Sequence, residues 1–231
     1  MKWPESLTLI RHGESEYNKN KIENKLFDPC QLEYSDETTP LTDEGKRQAN
    51  VVGEKLKEII KIPDVVIISP YLRTRETFDN LMLGWPELKN IVQFEDERIR
   101  EQDHGLKLIY CNKDEFFKAF PEQEKLHKKT GEYYYRWPQG ENVPDVRERL
   151  RSWVSTIVRD FHDQNVLVVT HHLTILGMRA NLERLDADEF LRIDKEEKPI
   201  NCGVTIYKGN PKLGKDGQGK LELVAYNSKL Y

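Results

Sequence analysis

Cysteine is scarce in this 231-residue chain: Cys30, Cys111 and Cys202 are an odd number, far apart, with no CxxC spacing. That argues against a disulfide framework and a structural zinc site, and fits a reducing compartment. Long apolar runs are missing too. None approaches the roughly 18 residues a membrane span needs, and MKWPESLTLIRHGESEYN has neither the apolar core nor the cleavage pattern of a secretory leader. The expectation is a cytoplasmic protein with no membrane partner. Neither sign of charge dominates, since 36 Lys+Arg against 40 Asp+Glu leave a net charge of -4. This argues against nucleic acid as a partner and leaves room for a local basic pocket and a small ligand. Disorder and collagen are excluded by 37% hydrophobic beside 33% charged residues. At about 150 residues per domain, the length favours one domain with an insertion.

What is present alternates. Leu7-Thr8-Leu9-Ile10 reads as a buried strand running into Arg11-His12-Gly13. Thr42 is placed to cap a helix whose apolar stripe is Ala49, Val52, Leu56, Ile59 and Ile60, and Pro63 is expected to end it. Val65–Ile68 and Val166–Thr170 are further buried strands, and Val204–Tyr207 with Leu221–Ala225 resemble a hairpin. Helical patterns follow Thr74, span Glu115 to His127 and Pro144 to Phe161, and run from Leu173 to Arg184. Strands alternating with helices predict a largely parallel sheet with helices on both faces.

Ligand sites in such sheets form beyond the carboxyl ends of the strands. There the first strand delivers Arg11 and His12, the second Arg73 and Arg75, the third His171 and His172. Each alone reads more readily as a loop residue or a solvated helix face. Together, guanidiniums and imidazoles in one pocket call for an anion, and a phosphate dianion is the obvious one.

Arg11-His12-Gly13-Glu14-Ser15 after an apolar strand resembles the signature of the histidine phosphatase superfamily, the phosphoglycerate mutase-like proteins. PLTDEGKRQA at 40–49, SPYLRT at 69–74, the Glu101-to-Gly105 spacing and VLVVTH at 166–171 follow in the family's order. The resemblance implies a three-layer αβα sandwich with a mainly parallel sheet, in a single domain over 1–231 with a helical cap at about 102–140. It implies that His12 attacks phosphorus and becomes phosphohistidine, that Arg11, Arg73 and His171 hold the phosphoryl oxygens, and that no metal or other cofactor takes part. Asn18 resembles a further phosphate contact, or is a turn residue. His172 stands where many relatives carry Gly or Gln, and its N–H is expected to face the phosphate. Glu101 matches the family's acid/base, with Glu97 and Asp103 as competing carboxylates. Tyr-Arg-Trp-Pro-x-Gly-Glu at 135–141 is similar to a segment of the sugar-bisphosphatase branch, which makes Arg136 a candidate substrate contact. Leu176 stands where that branch has an Arg, with Arg179 three residues on, and this leaves the substrate open.

Three signals are read as decoys. GxxxxGK at 209–215 has Asp216 where a phosphate loop needs Ser or Thr, and it continues into a strand. His171-His172 as a metal pair lacks any supporting spacing. Tyr133-Tyr134-Tyr135 with Trp137 lacks the basic surface of a base-stacking site. The expected function is hydrolysis of a small phosphorylated metabolite. A phosphoglycerate-type mutase is the alternative, and a phosphate-ester-binding protein without turnover the third reading. Mutases carry Arg and Tyr where this chain has Gln102 and His104. An edge strand or exposed helix leaves room for a homodimer.

Overall fold

The computed structural model describes residues 3–22, 34–110, 112–214 and 218–231. Six strands, β1 (Ser6–Arg11), β2 (Val65–Ile68), β3 (Val92–Glu95), β4 (Asn165–Thr170), β5 (Val204–Asn210) and β6 (Lys220–Ser228), form one sheet in the order β3-β2-β4-β1-β5-β6. The first four of that order are parallel; β5 runs antiparallel to β1, and β6 antiparallel to β5. The β-branched runs in β1, β2 and β4 are buried on both faces, which is why they read as continuous apolar stretches.

Side chains alternate across the sheet. Leu7, Leu9, Val65, Ile67, Val166 and Val168 join a core with Val146, Leu150, Trp153 and Ile157 of α6 (Val143–Asp160) and Ile175 and Met178 of α7 (His172–Glu183). Ile10, Val66, Ile68, Leu167 and Val169 face Ala49, Val52 and Leu56 of α2 (Asp43–Leu56) and Phe78 and Leu81 of α3 (Leu72–Gly84). The result is the three-layer αβα sandwich. Each fully buried Leu, Val or Phe contributes roughly 1.5–3 kcal/mol. Thr42 caps α2 by accepting the Gly45 N–H at 3.0 Å, and Asn142 and Asp145 form a reciprocal capping box at α6.

Several expectations are corrected. Helix α2 ends at Leu56, through turns before Pro63, so the proline does not end it; Ile59 is half-exposed, while Ile60, beyond the helix, packs partly buried against the same core. The 115–127 segment is two helices, α4 (Lys113–Ala119) and α5 (Pro121–Thr130). Pro121 lacks the N–H that would continue the first, so it starts the second. The edge strand β3 lies outside the strands read from the sequence: Val92-Gln93-Phe94-Glu95 alternates over only four residues, and all four are exposed. Helices α1 (Glu16–Ile22) and α8 (Ala187–Glu196) also lie outside the helical patterns read from the sequence. The GxxxxGK stretch leaves β5 into a turn before β6; Lys215 and Asp216 lie outside the described residues.

Between Gln102 and Gly140 lie a single turn at Gly105–Ile109, α4 and α5. Tyr135 and Trp137 bury into an aromatic cluster with Phe116 and Phe117, and Tyr133 packs on Phe190 of α8. Among the described residues no helix is long and apolar enough to cross a membrane.

Candidate active site

Strands β2, β4 and β1 are neighbours, and both Ile10 and Ile68 sit opposite Val169. Their carboxyl ends are therefore level. The loops after them bring His12, Arg73 and His171 together in a buried cluster, with the His12 and His171 rings 5.3 Å apart.

The loop after β1 is shaped by close approach. A Cβ on Gly13 would come 2.5 Å from the Gly45 carbonyl oxygen, so the RHG glycine and the glycine of LTDEG let this loop rest on the start of α2. The Gly13 N–H donates to Thr77 Oγ1 at 3.0 Å. His12 Nδ1 lies 2.8 Å from the Gly13 carbonyl, an acceptor only, so Nδ1 carries the proton and Nε2 keeps its lone pair. Burial, then Arg73 and Arg11, hold the His12 pKa well below that of a free imidazole. The ring is neutral at pH 7.

Arg73, the second residue of α3, stacks over the Tyr71 ring at 4.7 Å, and its Nη1 meets the Asp36 carbonyl and, at 3.1 Å, the Asp36 carboxylate. Arg11 donates from Nη1 to the Pro199 carbonyl at 2.7 Å, while its buried Nε has no protein partner. Burial draws the Arg11 pKa down to about 10 against the opposing pull of Glu101. His171 meets Ser69 Oγ through Nε2 at 2.7 Å and leaves a buried Nδ1 without a partner. Its pKa is also held well down, by burial first and Arg73 next. Two unanswered polar groups beside two guanidiniums fit an anion.

Glu101 reaches the start of α7, where its Oε1 accepts the Leu173 N–H at 3.1 Å and the Gln102 N–H at 3.0 Å. Asp103 instead accepts the Gly105 N–H at 2.7 Å and so shapes its own loop. Gly105 takes φ +49°, and a Cβ there would lie 2.2 Å from the Pro138 carbonyl oxygen, which accounts for the Glu101-to-Gly105 spacing. Asn18 Oδ1 accepts from the Ser15 N–H, from Ser15 Oγ and from Asn201 Nδ2, which ties the loop after β1 to the turn that carries Asn201. His172 Nε2 pairs with Asp194 of α8 at 2.6 Å, and burial lowers the His172 pKa although Asp194 raises it.

One residue of the strand-end set, Arg75, and the candidate substrate contact Arg136 lie elsewhere. Arg75 pairs with Glu95 of β3 at the surface, because two positions along a helix point about 200° apart. Arg136 is exposed and engaged by Asp145 in the first turn of α6, so contact with substrate requires it to leave that partner. Arg179 pairs with Glu183 and lies over Tyr226. Four supporting residues had not been given roles: Ser69, Thr77, Asp36, and Asn201, whose Nδ2 meets the His12 and Gly13 carbonyls at 3.1 Å each. Only Ser69 carried a signal, through its place in SPYLRT. Among the described residues no group of three or more His, Cys, Asp or Glu is placed to hold a metal ion.

The pattern of the histidine phosphatase superfamily, branch 1, matches residues 7–214. A phosphoglycerate mutase-like protein of Arabidopsis thaliana, AT74, is 31% identical over 74% of this chain, which spans about half (55%) of that relative's length. A 2,3-bisphosphoglycerate-dependent phosphoglycerate mutase of Chelativorans is 29% identical, covering 89% of this chain and 93% of its own. Phosphoserine phosphatase 1 of Hydrogenobacter thermophilus is 28% identical over 80% and 79%. The solved structure of Bacillus stearothermophilus YhfR superposes with a TM-score of 0.73 at 23% identity, covering 98% of this chain and 99% of its own. With the family pattern running through the strand ends that carry His12, Arg73 and His171, the chain belongs to the histidine phosphatase superfamily.

Proposed function

We propose that the protein is a metal-independent phosphatase that hydrolyses small phosphomonoesters through phosphohistidine on His12. The observation that carries this reading is the His12 imidazole, buried and neutral, with Nδ1 fixed on the Gly13 carbonyl and Nε2 free beside two guanidiniums. In the first step Nε2 bonds to phosphorus as the ester P–O bond breaks, and protonated Glu101 gives its proton to the leaving alkoxide. In the second, Glu101 takes a proton from water, the water oxygen bonds to phosphorus, and the N–P bond breaks to release phosphate. Arg11, Arg73 and His171 supply donors for the charge on the transferring group, already oriented and shielded from water.

A phosphoglycerate-type mutase is the second reading, supported by the relatives that carry that name. It requires further donors to hold a second substrate against phosphohistidine. The two positions where mutases have Arg and Tyr do not supply them: Gln102 Nε2 is engaged by the Glu141 carbonyl at 2.8 Å, and the His104 ring stacks on Trp137 with its Nδ1 on the Gln102 carbonyl. This favours water as the acceptor.

The test is phosphate release from a panel of phosphomonoesters in EDTA, wild type against His12→Ala. Release by the wild type alone supports the proposal. Transfer of label to a second position of phosphoglycerate, with little to water, replaces it with the mutase. A requirement for divalent ion overturns the metal-independent step.

A further inference from the structure

The segment Trp137-Pro138-Gln139-Gly140-Glu141 ends in a carboxylate that the chemistry above does not use. Glu141 is nearly buried, its side chain 13% exposed. Its contacts gather the loop that carries Glu101. Its Oε1 accepts from Arg100 Nη2 and from Arg149 Nε, each at 2.9 Å, and its Oε2 from the Asp103 N–H at 3.0 Å and Arg149 Nη2 at 3.2 Å. Its backbone repeats the pattern: the N–H donates to the Asp103 carbonyl at 2.8 Å, and the carbonyl accepts Gln102 Nε2. Arg149 extends the reach, donating from Nη1 to the Arg98 carbonyl at 2.6 Å and from Nη2 to the Glu101 carbonyl at 3.1 Å.

Residues 101–104 have no regular secondary structure of their own, so their path depends on such ties. A general acid works only within hydrogen-bond reach of the leaving oxygen, and a shift of about 1 Å in a reacting group costs on the order of a hundredfold. We infer that Glu141, acting through Arg149 and Arg100, is a positioning residue for the Glu101 carboxyl and thereby controls proton delivery to the leaving group. The inference rests on the acid/base role proposed for Glu101.

The test compares kcat/KM, which reports the steps through His12 phosphorylation, for two esters. 4-Nitrophenyl phosphate leaves as a stable phenolate and needs no acid; an alkyl phosphate turned over by the wild type does need one. Glu141→Gln keeps the shape and removes the charge that faces both guanidiniums. The expected result is a loss about tenfold greater for the alkyl ester than for the aryl ester. Glu101→Gln is expected to discriminate in the same sense and more strongly, and the double variant to match Glu101→Gln alone. Equal losses on both esters, no loss, or an additive double variant overturn the inference. If Glu101→Gln discriminates and Glu141→Gln does not, the positioning role alone fails. If Glu101→Gln does not discriminate, the role of Glu101 fails and takes the inference with it. Should Glu141→Gln not fold by circular dichroism, Arg149→Lys decides by the same criteria, since a lysine keeps the charge but cannot span Glu141, Arg98 and Glu101 together.

Discussion

Lowering the pH should destabilise this fold through the residues that build its site. His12, His171, His172 and His104 all have pKa values drawn down by burial, those of His12 and His171 well below the ordinary 6.5. In the unfolded chain each returns to about 6.5. Below that pH the unfolded state binds protons that the folded state refuses, so stability is full above 6.5 and declines as pH falls. Each such proton costs about 1.4 kcal/mol per pH unit. With His12 and His171, whose pKa values lie well down, the slope is about half its limit at pH 6.5 and approaches that limit, about 2.7 kcal/mol per unit, about one unit lower; His172 and His104 act in the same direction. For a domain held by roughly 5–15 kcal/mol, this is a large share.

The measurement is urea unfolding of the unliganded protein at several pH values between 7.5 and 5.5, at constant ionic strength and without phosphate. The midpoint should fall steeply below 6.5 while the denaturant slope stays constant. His12→Gln and His171→Gln should each remove about one proton from the linkage, flattening the decline by about 1.4 kcal/mol per pH unit. Stability that does not change between pH 7.5 and 5.5 would refute the neutral buried cluster. So would variants with the wild-type slope.

Two further outcomes are expected. The acid-side fall of kcat/KM for 4-nitrophenyl phosphate should lie below pH 6.5, because the neutral form of His12 that the proposed reaction needs persists below the ordinary imidazole range; a fall already half complete at 6.5 would contradict it. Arg73→Lys keeps the charge but loses the planar fork that stacks on Tyr71 and faces His12 and His171, and should lower kcat/KM about a hundredfold with little change in melting temperature; activity within threefold of wild type would remove Arg73 from the site.

The strand ends were legible because their chemistry is local. A parallel strand buried on both faces must be a short continuous run of apolar, largely β-branched residues, and whatever follows it must lie at the carboxyl edge. That logic brought Arg11, His12, Arg73 and His171 to one place from positions up to 160 residues apart. It admitted Arg75 too readily, although the spacing itself separates the two arginines: neighbours two apart on a helix cannot face one pocket. The exposed edge strand β3 was missed for the converse reason: Val92-Gln93-Phe94-Glu95 alternates over only four residues and buries none of them, so it lacks the continuous apolar run of the central strands. Asn201, which meets the carbonyls of His12 and Gly13, stands in a turn that no local pattern marks.

The segment Tyr-Arg-Trp-Pro-Gln-Gly-Glu shows what only burial decides. Read as a motif, its prominent charge is Arg136, the cation beside aromatics. In the fold that guanidinium is 58% exposed on a surface carboxylate, where an ion pair is worth roughly 0–1 kcal/mol and fixes little. The glutamate five residues on is 13% exposed and faces two guanidiniums from different elements, Arg100 beside Glu101 and Arg149 on α6. A buried charge left without its partner is costly, so these groups hold one arrangement where an exposed pair would exchange freely. A sequence records the charges of Arg136 and Glu141 alike; the low-dielectric interior makes Glu141 the one able to fix the geometry of the loop that carries Glu101.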